Sequence, residues 1–298
     1  NDMKKIITTI IILLVMYFIV DRMGGMAIRW AYNHSATDAK LKTIVEKIEV
    51  EIVLMGSSKT EDHFIPQVFE DSLGMSTYNC GLVGCMDIYY QYALLNLMLE
   101  RYTPKIVLLE IGNKTGVDRP QRLAALAPYL GLSSQTDSVF RDFGQYNEYI
   151  LSYCYRYNMN FMNTIGWLGK QIVDDTNKGF VCQTVADYTL KKGDFLDIQV
   201  CEKALRYFEM YIKRCKECGV FLVVYIPPYF ADSNKNLYVS YMSIMKEYNI
   251  PFWDYQTPGF YLDHPEYWHD ELHMSGKGAD VFSSKIAHDL KDLLNDIK

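Results

Sequence analysis

The chain has 298 residues, 49% hydrophobic, 22% charged and 14% aromatic, a globular composition too apolar for disorder and too irregular for a coiled coil or collagen. The formal charge of −6 comes without basic runs, so the chain lacks the electrostatic footprint of a nucleic-acid binder and no nucleic acid is expected as a partner. The 24 tyrosines suit an extracytoplasmic protein that meets sugars, and equally a fold that uses Tyr as a strand and boundary residue.

Asn1 and Asp2 precede Met3, which reads as the natural start. Lys4 and Lys5 then lead into an apolar run over 6–20, closed by Asp21 and Arg22. The run is short for a bilayer span, although Met3 and the 23–28 stretch extend it. It is long for the core of a signal peptide, and no A-x-A cleavage site follows. Residues 1–29 are therefore read as an uncleaved anchor with the lysines cytoplasmic and the rest exported to the periplasm or cell surface. A cleaved signal peptide, giving a secreted protein, and a buried core helix are the alternatives. Residues 30–49, polar and helix-compatible, read as a stalk.

From residue 50 the chain alternates strand and helix. Strands are expected at 51–55, 76–80, 105–111, 220–226 and 251–255, the third a continuous apolar run of the kind a central parallel strand shows. Helices are expected at 66–73, 87–102, 199–218, 235–248 and 276–297. The stretch at about 120–198 breaks this rhythm; with helices at 139–157 and 162–173 it reads as a helical insertion over the strand ends. The expectation for 50–298 is one α/β domain, a doubly wound, flavodoxin-like five-stranded parallel sheet of order 2-1-3-4-5. In such a sheet chemistry sits in the loops at the carboxyl ends of the strands.

Those loops carry polar groups. Gly56-Ser57-Ser58-Lys59 follows the first strand, and a hydroxyl on such a tight turn stands clear of the sheet. Asn79-Cys80-Gly81-Leu82-Val83-Gly84 follows the second, its glycines allowing backbone N–H groups to approach a ligand. Gly112-Asn113-Lys114 follows the third. Asp270-Glu271-Leu272-His273 precedes the last helix, a spacing at which a carboxylate can orient an imidazole of the same loop. Each motif alone is common, but together they fall on one edge of one sheet.

With these residues in place the sequence resembles the SGNH (GDSL-type) hydrolase superfamily, from about residue 51 to the C-terminus apart from the insertion. The resemblance implies a serine esterase or acyltransferase with Ser58 as nucleophile, His273 as base and Asp270 as its orienting acid. It implies Gly84 as an oxyanion donor. The family's Asp before the nucleophile is Ser57 here, as in membrane-anchored relatives that act in teichoic-acid D-alanylation or exopolysaccharide O-acetylation. The resemblance therefore implies an acylated cell-surface glycan or small acyl ester as substrate and a membrane-bound O-acyltransferase as partner. The family's oxyanion asparagine falls on Lys114 in a gapless reading, with Asn113 one residue early. Either Asn113 fills the role in a shorter loop, or the third donor is missing. The alternative function is a non-catalytic glycan-binding or adaptor protein of the same fold.

Lys59, His63 and Lys114 are candidate substrate-lining residues. His63 reads first as a helix-start or surface residue. His269 is poorly spaced to act as base, and Asp254 reads as a turn residue. Tyr89, Tyr90 and Tyr92, or Tyr149, Tyr153 and Tyr157, could form a glycan platform or pack helix faces. The seven cysteines, including the isolated Cys215-x-x-Cys218, match neither a zinc site nor a compact disulfide framework, leaving room for one disulfide among small buried residues. No metal-spaced cluster and no Walker or dinucleotide loop is present, so no cofactor is expected.

Overall fold

A computed structural model describes residues 2–112, 120–170, 175–191, 201–230, 238–256 and 260–297. In chain order the elements are α1 (Asp2–Asn33), α2 (Ala39–Glu46), β1 (Ile52–Met55), α3 (Ser58–His63), α4 (Pro66–Leu73), β2 (Thr77–Asn79), α5 (Ile88–Leu99) and β3 (Ile106–Glu110). After β3 come α6 (Ser134–Asp142), α7 (Tyr146–Leu151), α8 (Phe161–Trp167), α9 (Glu202–Glu217), β4 (Phe221–Ile226), α10 (Val239–Glu247), β5 (Phe252–Asp254) and α11 (Gly276–Ile297). The chain divides into two compact units: residues 1–39 with 120–174, and residues 40–119 with 175–298.

The larger unit is built on a five-stranded, all-parallel sheet of order β2-β1-β3-β4-β5. β1 and β3 are buried along their whole length, which is why β1 and the first four residues of β3 are unbroken apolar runs rather than alternating ones. Ile52, Leu54, Ile106, Leu108, Val223 and Tyr225 face a core closed by Phe69 of α4 and by Phe282, Ile286, Ala287 and Leu290 of α11. On the other face Tyr211 of α9 reaches Met55, its hydroxyl 3.0 Å from the sulfur, and Arg214 joins α9 to Asn96 of α5 at 2.8 Å. Helices thus cover both faces, and the doubly wound architecture expected from the alternation of elements is present.

The expected strands agree with the observed ones to within two residues at each end. Helices 66–73 and 276–297 have the expected bounds. The stretch expected to be one helix over 139–157 is instead α6, α7 and a 3-10 turn at Tyr155–Asn160. Gly144, in a left-handed conformation at φ 70°, ends α6 and turns the chain before α7. The segment 30–49 is not one continuous stalk. Its first residues complete α1, and α2 buries Leu41, Ile44 and Val45.

The smaller unit holds α1, the 3-10 helix Pro120–Tyr129, and α6 to α8. α1 is long and apolar enough to cross a membrane. Each of the seven cysteines is a free thiol, so the disulfide left open by the sequence is not formed.

Candidate active site

The site begins where β1 stops. Ser57 caps α3 by accepting the Lys59 N–H with its hydroxyl, at 3.3 Å, so Ser58 becomes the first residue of that helix. Beneath this turn lies Glu110, the last residue of β3. Its carboxylate accepts the Ser57 N–H and hydroxyl, both at 2.8 Å, and the Thr60 hydroxyl at 2.9 Å. Lys59 Nζ lies 3.3 Å away from it and 5.1 Å from the centre of the Tyr229 ring. Tyr225 extends the network to Thr60 at 2.8 Å. Burial opposes charge on Glu110, but Lys59 and the donors from Ser57 and Thr60 outweigh it and hold the carboxyl below its ordinary range.

The loop after β2 is tied to the same turn. Gln91 donates to the carbonyls of Gly56, at 3.0 Å, and Cys85, at 2.5 Å, while the Leu82 N–H donates to Gly56 at 3.1 Å. A Cβ on Gly81 would run into the Glu61 N–H and the Ser57 carbonyl, so this close approach requires glycine. Gly84 sits at φ 73°, which glycine adopts without strain. Among the described residues, neither the Ser58 nor the Gly84 N–H has a hydrogen-bond acceptor. Asn79 is structural: its amide donates to the carbonyls of Thr60 and Phe64 at 2.7 and 2.9 Å, closing the end of α3.

The loop before α11 brings in the remaining groups. His273 Nε2 lies 2.8 Å from Ser58 Oγ, and Nδ1 lies 2.8 and 2.9 Å from the two oxygens of Asp270. The backbone N–H groups of Leu272 and His273 also donate to Asp270, at 2.7 and 2.8 Å. Partial burial works against ionisation of Asp270; the His273 ring and the Leu272 N–H more than offset it and pull its pKa down to about 2. An ionised carboxylate on the Nδ1 side fixes the proton there, leaving Nε2 as an acceptor aimed at the Ser58 hydroxyl.

The segment 175–191 runs along this edge of the sheet. The Asn79 N–H donates to Lys178 and the Val181 N–H to Glu61, while the Gly276 N–H donates to Gln183 and the Ala186 N–H to Trp268, all at 2.8–3.2 Å. Between this strap and the 269–273 loop lies a cavity of about 550 Å³ lined by Thr184, Val185, Ala186, Asp187, Tyr188, His269 and Asp270. A second cavity, of about 480 Å³, lies at the amino edge of the sheet between Met75, Ile106, Phe221 and Leu294, away from these groups.

Ser58, His273 and Asp270 are thus brought together, with Gly84 on a loop fastened to the Ser58 turn. Asn113 and Lys114 lie outside the described residues. Lys59 and His63 do not have the substrate-lining surroundings expected of them. The Lys59 ammonium is buried against Glu110, and His63 is fully buried with its ring edge-on to Phe282. Burial above all, with His273 and Lys59 nearby, holds His63 neutral well below the usual histidine range. His269 turns Nδ1 to the Thr184 carbonyl at 2.9 Å, and Asp254 accepts the Gln256 N–H at 2.9 Å as a turn residue does. Tyr89, Tyr90, Tyr92, Tyr149 and Tyr157 are buried, so those rings pack helix faces rather than form a platform.

Asp62 stands out in the structure without a signal in the sequence. Burial lifts its carboxyl to about 6, against the Gln183 hydrogen bond and the neighbouring His273. Glu110 did carry a signal: a carboxylate ending an otherwise apolar central strand must be paired.

No protein-family model matches the chain, and no curated protein does. Among solved structures it is similar to the psychrotrophic esterase EstA from Pseudoalteromonas sp., in a structure inhibited by monoethylphosphonate. The match has 14% identity and a TM-score of 0.44, and covers 82% of this chain and 98% of that one.

Two measurements test this description. Replacing Glu110→Gln leaves the Lys59 charge buried and underpaired, and is expected to cost about 3–5 kcal/mol in urea unfolding, with more than half recovered by adding Lys59→Met. A loss below about 1 kcal/mol would show that the pair does not hold the turn. For Asp62, the folded-state value of about 6 lies above the ordinary 3.8, so its contribution to stability is intact at low pH and lost as pH rises through about 6. Asp62→Asn is therefore expected to raise the melting temperature at about pH 8 and leave it unchanged at about pH 4; equal effects at both would contradict the assignment.

Proposed function

We propose that this chain is a membrane-tethered serine esterase or acyltransferase of the SGNH type, acting on O-acyl esters of a cell-surface glycan. The observation that carries the proposal is the continuous hydrogen-bonded line from Ser58 Oγ through His273 to Asp270. In this reading His273 Nε2 takes the Ser58 proton as Oγ attacks the acyl carbonyl carbon. The same proton then passes to the leaving alcohol, and an acyl-Ser58 ester remains. Asp270 stays ionised throughout, holding the tautomer and balancing the imidazolium. The N–H groups of Ser58 and Gly84 receive the oxyanion, with Asn113 as a third donor. Water or a sugar hydroxyl, deprotonated by His273, then releases the acyl group.

The polar lining of the cavity beside Asp270, with Thr184, Asp187, Tyr188 and His269, supports a hydroxylated acceptor over an aliphatic one. The apolar helix α1 supports tethering, with the lysines of its first turn on the cytoplasmic side. Substrate class and partnership with a membrane O-acyltransferase rest on the motif resemblance.

The full chain in detergent is expected to hydrolyse p-nitrophenyl acetate, with Ser58→Ala and His273→Ala each lowering kcat by about 10³-fold or more and leaving KM within a few fold. A wild-type rate no higher than that of Ser58→Ala would contradict the proposal.

A further inference from the structure

The smaller unit carries an apolar surface that its own fold leaves uncovered. Fifteen residues, 6–20, make the apolar run of α1, with Thr8, Thr9 and Tyr17 its polar interruptions. At ~1.5 Å per residue they reach ~22 Å, about 8 Å short of a ~30 Å hydrocarbon core. Lys4 and Lys5 hold the amino end at the headgroups, so the shortfall is made up by about five residues beyond Val20. Those residues include Asp21 and Arg22.

Both charges are hydrogen-bonded to neutral groups, and they lie 3.8 Å from each other. The buried Asp21 carboxylate accepts the Ser152 hydroxyl at 2.5 Å and the N–H groups of Tyr153 and Cys154 at 2.7 and 3.2 Å. Arg22 donates to the carbonyls of Ile150 and Leu151, at 3.3 and 3.1 Å, and stacks over Phe18 at 4.7 Å. In water such burial would gain little, whereas at the edge of a bilayer unpaired charges are costly. The partners that satisfy them belong to residues 150–154, so this loop sits at the level where α1 leaves the hydrocarbon. Within it Leu151 is 73% exposed and, one helix further on, Met162 is 77% exposed, with Met159 and Ile165 also uncovered. Phe161 of α8 shares a cavity with Ile28 of α1, which places the start of α8 only a few residues beyond the expected core boundary.

We propose that residues 150–165 form a shoulder on α1 that sinks into the leaflet from which α1 emerges, phospholipid covering Leu151 and Met162. The proposal rests on reading α1 as a membrane span. Continuity with the apolar helix is what favours lipid: the uncovered residues adjoin the span in the same compact unit. Tyr153 and Tyr155, amphipathic rings of the kind found at membrane interfaces, lie at that level. At its far end α8 leaves the boundary. Gly169 donates to His34, 13 residues beyond Asp21 or about 20 Å along the helix, so Lys170 stands clear of the lipid.

The test uses the full chain in phosphatidylcholine–phosphatidylglycerol vesicles, with Phe18, Leu151, Met162 or Lys170 replaced one at a time by photocrosslinking benzoylphenylalanine. The readout is phospholipid adduct by intact mass. Adducts are expected at 18, 151 and 162, at least ten-fold above those at 170. Adduct at 18 with 151 and 162 no higher than 170 would overturn the shoulder and leave the span standing. No adduct at 18 would overturn the span and the shoulder with it. Crosslinking of 151 or 162 to a second copy of the chain would assign the surface to self-association and overturn the lipid contact.

Discussion

One buried carboxylate sets the geometry on which the site depends. Glu110 ends a strand that is covered on both faces, and its charge is matched by Lys59 and by donors from Ser57 and Thr60. Those donors all belong to the turn that follows β1, so satisfying Glu110 and shaping the turn are a single event. The Ser57 N–H is taken by Glu110 and the Lys59 N–H by the Ser57 hydroxyl. Of three consecutive N–H groups, the one left without an acceptor among the described residues is that of Ser58. A buried ion pair of this kind contributes little net stability, because desolvation offsets the attraction, but it penalises every other arrangement of the turn. Its value here lies in orientation.

Around that fixed point, single polar side chains hold the described loops. Asn79 closes α3, Gln91 joins the Gly56 and Cys85 carbonyls, and Asp270 gathers the Leu272 and His273 N–H groups with the His273 ring. Side-chain amides and carboxylates do this well because each offers several bonding positions in one rigid plane. The result is a hydroxyl, an imidazole and a carboxylate in line; in the proposed reaction such preorganisation lowers the reorganisation needed. The 175–191 strap adds a polar wall beside it.

Much of this was legible in the sequence for identifiable reasons. Strands such as β1 and β3 are continuous apolar runs between turn residues, so their number, limits and order followed from the pattern. Ser58, Asp270 and His273 were legible because they sit in short motifs at strand ends. The environment of Lys59 and His63 was not, since it depends on residues far away in the chain: Glu110 for the first, Phe282 and the 270–273 loop for the second. Asp62 was silent for the same reason, its partner Gln183 lying on the strap. The single helix expected over 139–157 failed at Gly144, a left-handed stop whose weight the apolar periodicity concealed. Asp21 and Arg22 were legible as the residues that close the apolar run, but their partners at 150–154 lie far along the chain.

The central claim is that Ser58 is a nucleophile activated by His273. Treating the full chain with a fluorophosphonate and mapping the adduct by mass spectrometry tests it most directly. The account predicts one adduct per chain, on Ser58, forming at least 10²-fold more slowly in His273→Ala. Labelling of another residue, or of Ser58 at an equal rate without the imidazole, would contradict it.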